Sequence, residues 1–213
     1  MAFPLIIIGM VFLHILALHR FGSNNPDGIE INKHIGADGK PIDSIPFHPY
    51  YTVKDLMGAA FFLFIFMAIV FYKPNFYGLF IEPENYIPAN PLVTPPHIKP
   101  VWYFSPFYAI LRAIPDKALG ALAMLISVLV LFTLPWLDTC RVKSIRYRSW
   151  TTRTVLILFI ISFIALGYFG TQPVTPASTI GTRIATLMYA LFFALQPLLS
   201  HLDRNRHVPS RLT

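Results

Sequence analysis

The sequence predicts an all-α integral membrane protein with about five transmembrane helices, and three observations carry that prediction. Of 213 residues, 55% are hydrophobic and only 13% are charged, with a mean hydropathy of +0.57. A soluble domain, whose charged fraction is nearer about 25%, has no interior large enough for that much apolar surface. The apolar residues also fall in runs close to the length a bilayer core demands, about 20 residues per helix. Finally, no run alternates polar with apolar residues in pieces of about ten, which is the pattern of a spanning strand. Backbone N–H and C=O groups in lipid must be bonded within their own segment, so each run is a helix.

The elements follow in chain order. The first span covers 2–18 (AFPLIIIGMVFLHILAL), near the minimum length for a crossing, and the second covers 56–72 (LMGAAFFLFIFMAIVFY). Three more cover 118–137, 155–168 and 184–200. The connection 20–54 is polar, and its IGADGKP is a turn-forming insertion. The connection 73–117 is proline-rich. Proline removes a backbone donor and biases the residue before it toward extended geometry, so 83–100 is expected as an extended wall. After it, 103–114 (YFSPFYAILRAI) is expected as a short helix at the membrane interface, aromatic on one side, with Arg112 toward water. The start lacks a basic n-region and a small-residue cleavage site, so no cleavable signal peptide is expected. The single Cys140 excludes an internal disulfide and any multi-cysteine metal site.

The net charge of +7 does not point to nucleic acid. Its basic residues sit in short loops between spans, not on one face interleaved with stacking aromatics. Their distribution instead sets orientation. The connections 20–54 and 138–153 and the tail after Ser200 hold twelve Lys and Arg, against five in 73–117 and 171–183. The first group therefore lies inside. The first span then runs outward to inward and carries His14 and His19 toward the inner face.

An ionisable side chain within a span is costly and is a functional-site candidate by default. A neutral imidazole bonded to a neighbouring helix is the plainer reading of either histidine. Five positions separate them, about 140° around a helix of about 3.6 residues per turn, so one face cannot present both to one metal. His14 is the deeper and suits a buried cofactor. His19 borders the polar loop, where an imidazole can exchange protons near neutral pH.

Three long motifs carry a resemblance: HILALHRFGSNNP (14–26), IPFHPYYTVKDL (45–56) and ANPLVTPPHIKPVWYFSPFYAILRAIPDK (89–117), followed by GTQPV (170–174). In this order and at these distances, the chain resembles cytochrome b of the cytochrome bc1 complex (ubiquinol–cytochrome c reductase) over essentially its whole length. The resemblance runs from within the family's fourth transmembrane helix onward. It implies an eight-helix bundle with two b haems, each held by one histidine from the second helix and one from the fourth. His14 matches the fourth-helix ligand of the inner haem iron, and the other fourth-helix ligand would fall just ahead of Met1. Residues 1–53 then correspond to the end of the fourth helix and an inner loop. Residues 54–213 correspond to the C-terminal domain, with 73–117 as the outer quinol-site loop. On this reading the chain is a fragment, a mis-called start or half of a split protein, and the partner histidine belongs to a missing N-terminal half. None of His34, His48, His97, His201 or His207 is placed to serve instead.

The resemblance also implies two quinone sites for ubiquinone and ubiquinol. The inner, quinone-reducing site matches His19, Ser23, Lys54 and Asp55, where Asp55 can hand over a proton and His19 can bond a carbonyl. Taken alone, Lys54 and Asp55 also fit a helix-start acid beside an interface-anchoring lysine. The outer, quinol-oxidising site matches Pro100, Val101, Trp102 and Tyr103, with Tyr108 nearby. The family usually has glutamate where Val101 stands, and valine has no proton acceptor. Tyr103 and Tyr108 are candidates for orientation or water binding, although a phenol is a poor base at neutral pH. The resemblance implies an oxidoreductase that couples electron transfer to proton translocation. It further implies a Rieske iron–sulfur protein near Lys117, cytochrome c1, membrane lipid and a dimeric complex as partners. The insertion at 27–43 suggests a bacterial inner membrane over a mitochondrial one. Two rival readings are a proton-coupled secondary transporter fragment using His14 and Asp55, and a non-catalytic structural subunit.

Overall fold

The computed structural model describes residues 2–22, 25–93 and 98–208. All five expected spans are helices: α1 (Ala2–Phe21), α2 (Tyr50–Tyr72), α4 (Lys117–Leu129) prolonged to Leu137, α6 (Trp150–Thr171) and α7 (Pro176–Asp203), with the short α3 (Ser105–Ala113) before α4. No strand occurs among the described residues. Each of the five is long and apolar enough to cross a membrane.

Most of the helices extend past the apolar runs because polar caps lie outside those runs. Ser149 Oγ accepts from Thr152 N at 3.2 Å and starts α6 five residues ahead of the run at 155. Thr175 and Ser178 form a reciprocal capping box, 3.1 and 2.9 Å, that starts α7 at Pro176. Asp116 Oδ1 accepts from Leu119 N at 2.8 Å at the head of α4. At the other end of α4, Pro135 has no N–H to offer the carbonyl one turn back. The ladder tightens to a 3₁₀ turn over Val130–Thr133 and resumes as α5 (Leu134–Leu137).

The packed core belongs to α3, α4, α6 and α7. Ala109 and Ile110 of α3 meet Leu166 of α6 and Ala185, Tyr189, Phe192 and Phe193 of α7. Phe159 stacks on Phe192 at 4.2 Å between centroids, and the Tyr189 hydroxyl donates to the Ser127 carbonyl at 2.7 Å. In contrast, α1 and α2 contain no buried residue.

One expectation is corrected here. Arg112 does not point to water but donates to the carbonyls of Gly170 and Gln172, while Ser105, Pro106, Ala109, Ile110 and Ala113 bury one face of α3 against the other helices. Two glycines allow this. A Cβ on Gly170 of α6 would sit 2.1 Å from the Ser105 carbonyl oxygen, and one on Gly120 of α4 would sit 2.5 Å from that of Leu111. Backbones approach this closely only where a side chain is missing.

The ends of the bundle are tied separately. At one end, Asp203 is 1% exposed and accepts from Ser149 N at 3.0 Å and from the Thr152 hydroxyl at 2.5 Å. Residues 25–49 are pinned to loop 138–149 at the same end. Arg146 and Tyr147 donate to Asp27 at 3.1 and 2.7 Å, Ser144 donates to the Pro26 carbonyl at 2.9 Å, and Lys143 pairs with Glu30. These are the loops that the charge count groups on one side of the membrane.

Candidate quinone and haem sites

The inner group is presented by α1 and α2. His14 and His19 are exposed on α1, and Lys54 and Asp55 are exposed in the first turns of α2. No hydrogen bond or ion pair joins His19 to Lys54 or Asp55 among the described residues, and Ser23 lies outside those residues, as does His97. His14 has Met10, Val11, Ala17 and Leu18 one turn away on either side, so its ring stands in an apolar wall. Among the described residues no three His, Cys, Asp or Glu side chains gather as a metal site. A lone imidazole in apolar surroundings suits one axial position of a haem, not a hydrated divalent ion.

Beside that group, Lys143 and Lys33 both grip the Glu30 carboxylate. The hydrogen bond from Lys143, followed by that from Lys33, draws the Glu30 carboxyl down to about 2. Burial pushes the Asp138 carboxyl up, but the hydrogen bond and charge of Arg148, 2.8 Å away, outweigh it and leave Asp138 below its ordinary value.

The outer group is built by residues 98–101, the 3₁₀ turn Trp102–Phe104 and α3; of the stretch expected as an extended wall, Pro83–Tyr86 forms a 3₁₀ turn instead, and 94–97 lie outside the described residues. Val101 and Trp102 are half exposed, and Tyr103 more so. Aromatic rings step from Phe80 to Trp102, Tyr103, Phe104 and Phe107, then to Phe163 inside the bundle, each 5.7 to 6.2 Å from the next. The Tyr108 hydroxyl donates to the Ile98 carbonyl at 3.4 Å, and the Arg112 guanidinium lies 5.3 Å over its ring. Tyr108 is thus held as part of the wall.

Three features here were not foreseen. Arg112 donates to the carbonyls of Gly170 and Gln172, at 3.3 and 3.0 Å, and so caps the negative end of α6. Lys99 and Glu82 form an ion pair at 2.8 Å, each side chain only 23% exposed. That pair, with Pro100, Trp102, Thr171 and Tyr77, lines a cavity of about 190 Å³. Their only signal in the sequence is a charged residue set within a proline-rich stretch. Nothing in the spacing matches Glu82 to a lysine 17 positions on.

Comparison with known proteins gives the family of the chain. A family model described as Cytochrome b(C-terminal)/b6/petD matches residues 88–190. The cytochrome b of Allochromatium vinosum is 49% identical over 218 residues, covering 99% of this chain and 53% of that protein. The cytochrome b of Rhodospirillum rubrum is 48% identical, covering 97% and 49%. A solved structure described as a hyperthermophilic respiratory Complex III superposes with a TM-score of 0.86 at 35% identity, covering 96% of this chain and 50% of that one. The chain therefore spans about half the length of these relatives. Placing multi-pass helices, the order of the motifs and these matches together, the chain belongs to the cytochrome b family.

Proposed function

We propose that this chain supplies the C-terminal portion of the cytochrome b subunit of a quinol–cytochrome c oxidoreductase, which oxidises quinol at an outer site and reduces quinone at an inner one. The observation that carries the reading is the outer loop. A proline-braced segment holds Pro100, Val101, Trp102 and Tyr103 beside a cavity on a rigid four-helix support. A flat aromatic ligand needs apolar walls and few, fixed polar groups. Tyr103, next to the lining residue Trp102, offers an exposed side chain, and Tyr108, bonded to Ile98, stiffens the segment.

At the inner site, His19 orients a quinone carbonyl, Asp55 delivers a proton and Lys54 replenishes it, with Ser23 as a further polar contact. His14 would hold haem b together with a histidine supplied from outside this chain. When bound, haem b provides one-electron transfer between the two quinone sites. Proton release on one face and uptake on the other makes the turnover translocate protons. A Rieske iron–sulfur protein, approaching near Lys117, and cytochrome c1 complete the electron route in a dimeric, lipid-embedded complex. The bacterial relatives support a bacterial inner membrane as its place.

The test is spectroscopic. In the assembled complex, His14→Ala should abolish the absorption band of one b haem while the bundle still inserts. A band of full intensity in that variant would remove His14 as a ligand and leave the structural-subunit reading in its place.

A further inference from the structure

Val101 leaves the outer site short of a base, and the fold sets a carboxylate next to it. Three acids lie in the connection 73–117. Glu84 is exposed on the loop, and Asp116 is engaged as the cap of α4. Only Glu82 reaches the cavity that Pro100 and Trp102, the two neighbours of Val101, also line. Its partner Lys99 directly precedes Pro100, so the ion pair straps the Glu82 segment to the motif itself.

We propose that Glu82 is the proton acceptor of the outer site, standing in for the carboxylate that Val101 lacks, with Lys99 as its counter-ion. This rests on the quinol-oxidation reading above. In each turnover both quinol O–H bonds break: one proton forms an O–H bond on a Glu82 carboxylate oxygen, and the proton of the other hydroxyl leaves to water on the side of the iron–sulfur partner. The two electrons leave to two one-electron acceptors of the complete complex, an iron–sulfur centre and a b haem. The Glu82 O–H bond then breaks toward bulk water, and the carboxylate returns to Lys99. Among the described residues, the charged and titratable groups facing Glu82 are few. Lys99 is paired with it, and Tyr77 shares the cavity, with Lys73 5.2 Å from its ring. Arg112 is committed to the carbonyls on either side of Thr171. With its side chain 23% exposed, Glu82 sits at the cavity while remaining in reach of the water that receives the proton.

The experiment uses the assembled complex and steady-state quinol oxidation between pH 5 and pH 9. Glu82→Gln should lower the rate roughly tenfold or more, as loss of a general base does, and flatten the rise of rate with pH on the acid side. Adding Val101→Glu to that variant should restore both. A Glu82→Gln complex with the rate and pH profile of the parent overturns the inference and leaves the function standing. A parent complex that has no b haem band or oxidises no quinol overturns the function itself. Should Glu82→Gln fail to assemble, Lys99→Met decides: it keeps the carboxylate but removes its cation, so the acid limb should move to higher pH. An unmoved limb overturns the inference.

Discussion

At the scale of single residues, Val101 separates the chemistry of the outer site from its scaffold. Its backbone is extended, φ −54° and ψ 143°, and its side chain is half exposed, so a longer side chain meets no packed wall. Val101→Glu should therefore fold normally and set a carboxylate between Pro100 and Trp102, two residues that line the Glu82 cavity. If position 101 faces the proton path, quinol oxidation in this variant gains an added titration in its pH–rate profile. A profile superposable on the parent's would place the residue outside that path. His14 is the opposite case, a residue whose environment is set by apolar neighbours and whose worth depends on a partner group. Both were legible in the sequence because each lies inside a contiguous motif. Glu82 was not, because its significance comes from an ion pair across 17 positions that only the fold closes.

At the scale of elements, the geometry of the outer site depends on how deeply α3 sinks between α4 and α6. Gly170 and Gly120 decide that depth. In Gly170→Ala the new Cβ would meet the Ser105 carbonyl at 2.1 Å, a backbone atom that no rotamer change can move. The helices must separate, and overpacking of this kind costs about 1–3 kcal/mol. Arg112 would also lose its grip on the carbonyls of Gly170 and Gln172. Thermal unfolding of the detergent-solubilised complex should show the loss. Gly167→Ala, whose Cβ would stand 3.6 Å from Pro106, should stay within about 0.5 kcal/mol of the parent. Equal effects from the two substitutions would refute this account of the packing. The five spans themselves were readable from hydropathy, since lipid demands long apolar runs. Their ends were less so, because Ser149, Thr175 and Ser178 are ordinary polar residues until a helix forms behind them. The close packing of α3 and the inward turn of Arg112 were not legible for a related reason. The aromatic pattern of α3 also suits an interface, and the glycines that admit it lie in other helices.

At the scale of the whole molecule, the inner connections lock together through groups far apart in the chain. Asp27 and Glu30 on one loop bind Arg146, Tyr147 and Lys143 on another, 113 to 120 positions away. That contact organises the face on which α1 ends and α2 begins, where His19, Lys54 and Asp55 are found. No periodicity announces it, which is why the candidate inner site was legible as a set of residues but not as a supported surface. Its stability should depend on pH with a definite sign. The Glu30 carboxyl is held at about 2, below its ordinary 4.5, so its contribution is complete above 4.5 and is lost as pH falls toward about 2. Hydrogen exchange of the amides in 25–33 should therefore accelerate, relative to other loops, across that acid window. The pair is exposed, so about 1 M salt should weaken the effect. In Lys143→Met the strongest hydrogen bond to Glu30 disappears, and the loosening should begin at a higher pH, nearer 4.5. If the midpoint in that variant matches the parent's, Asp27 and its partners hold the loops by themselves and the Glu30 clamp is incidental.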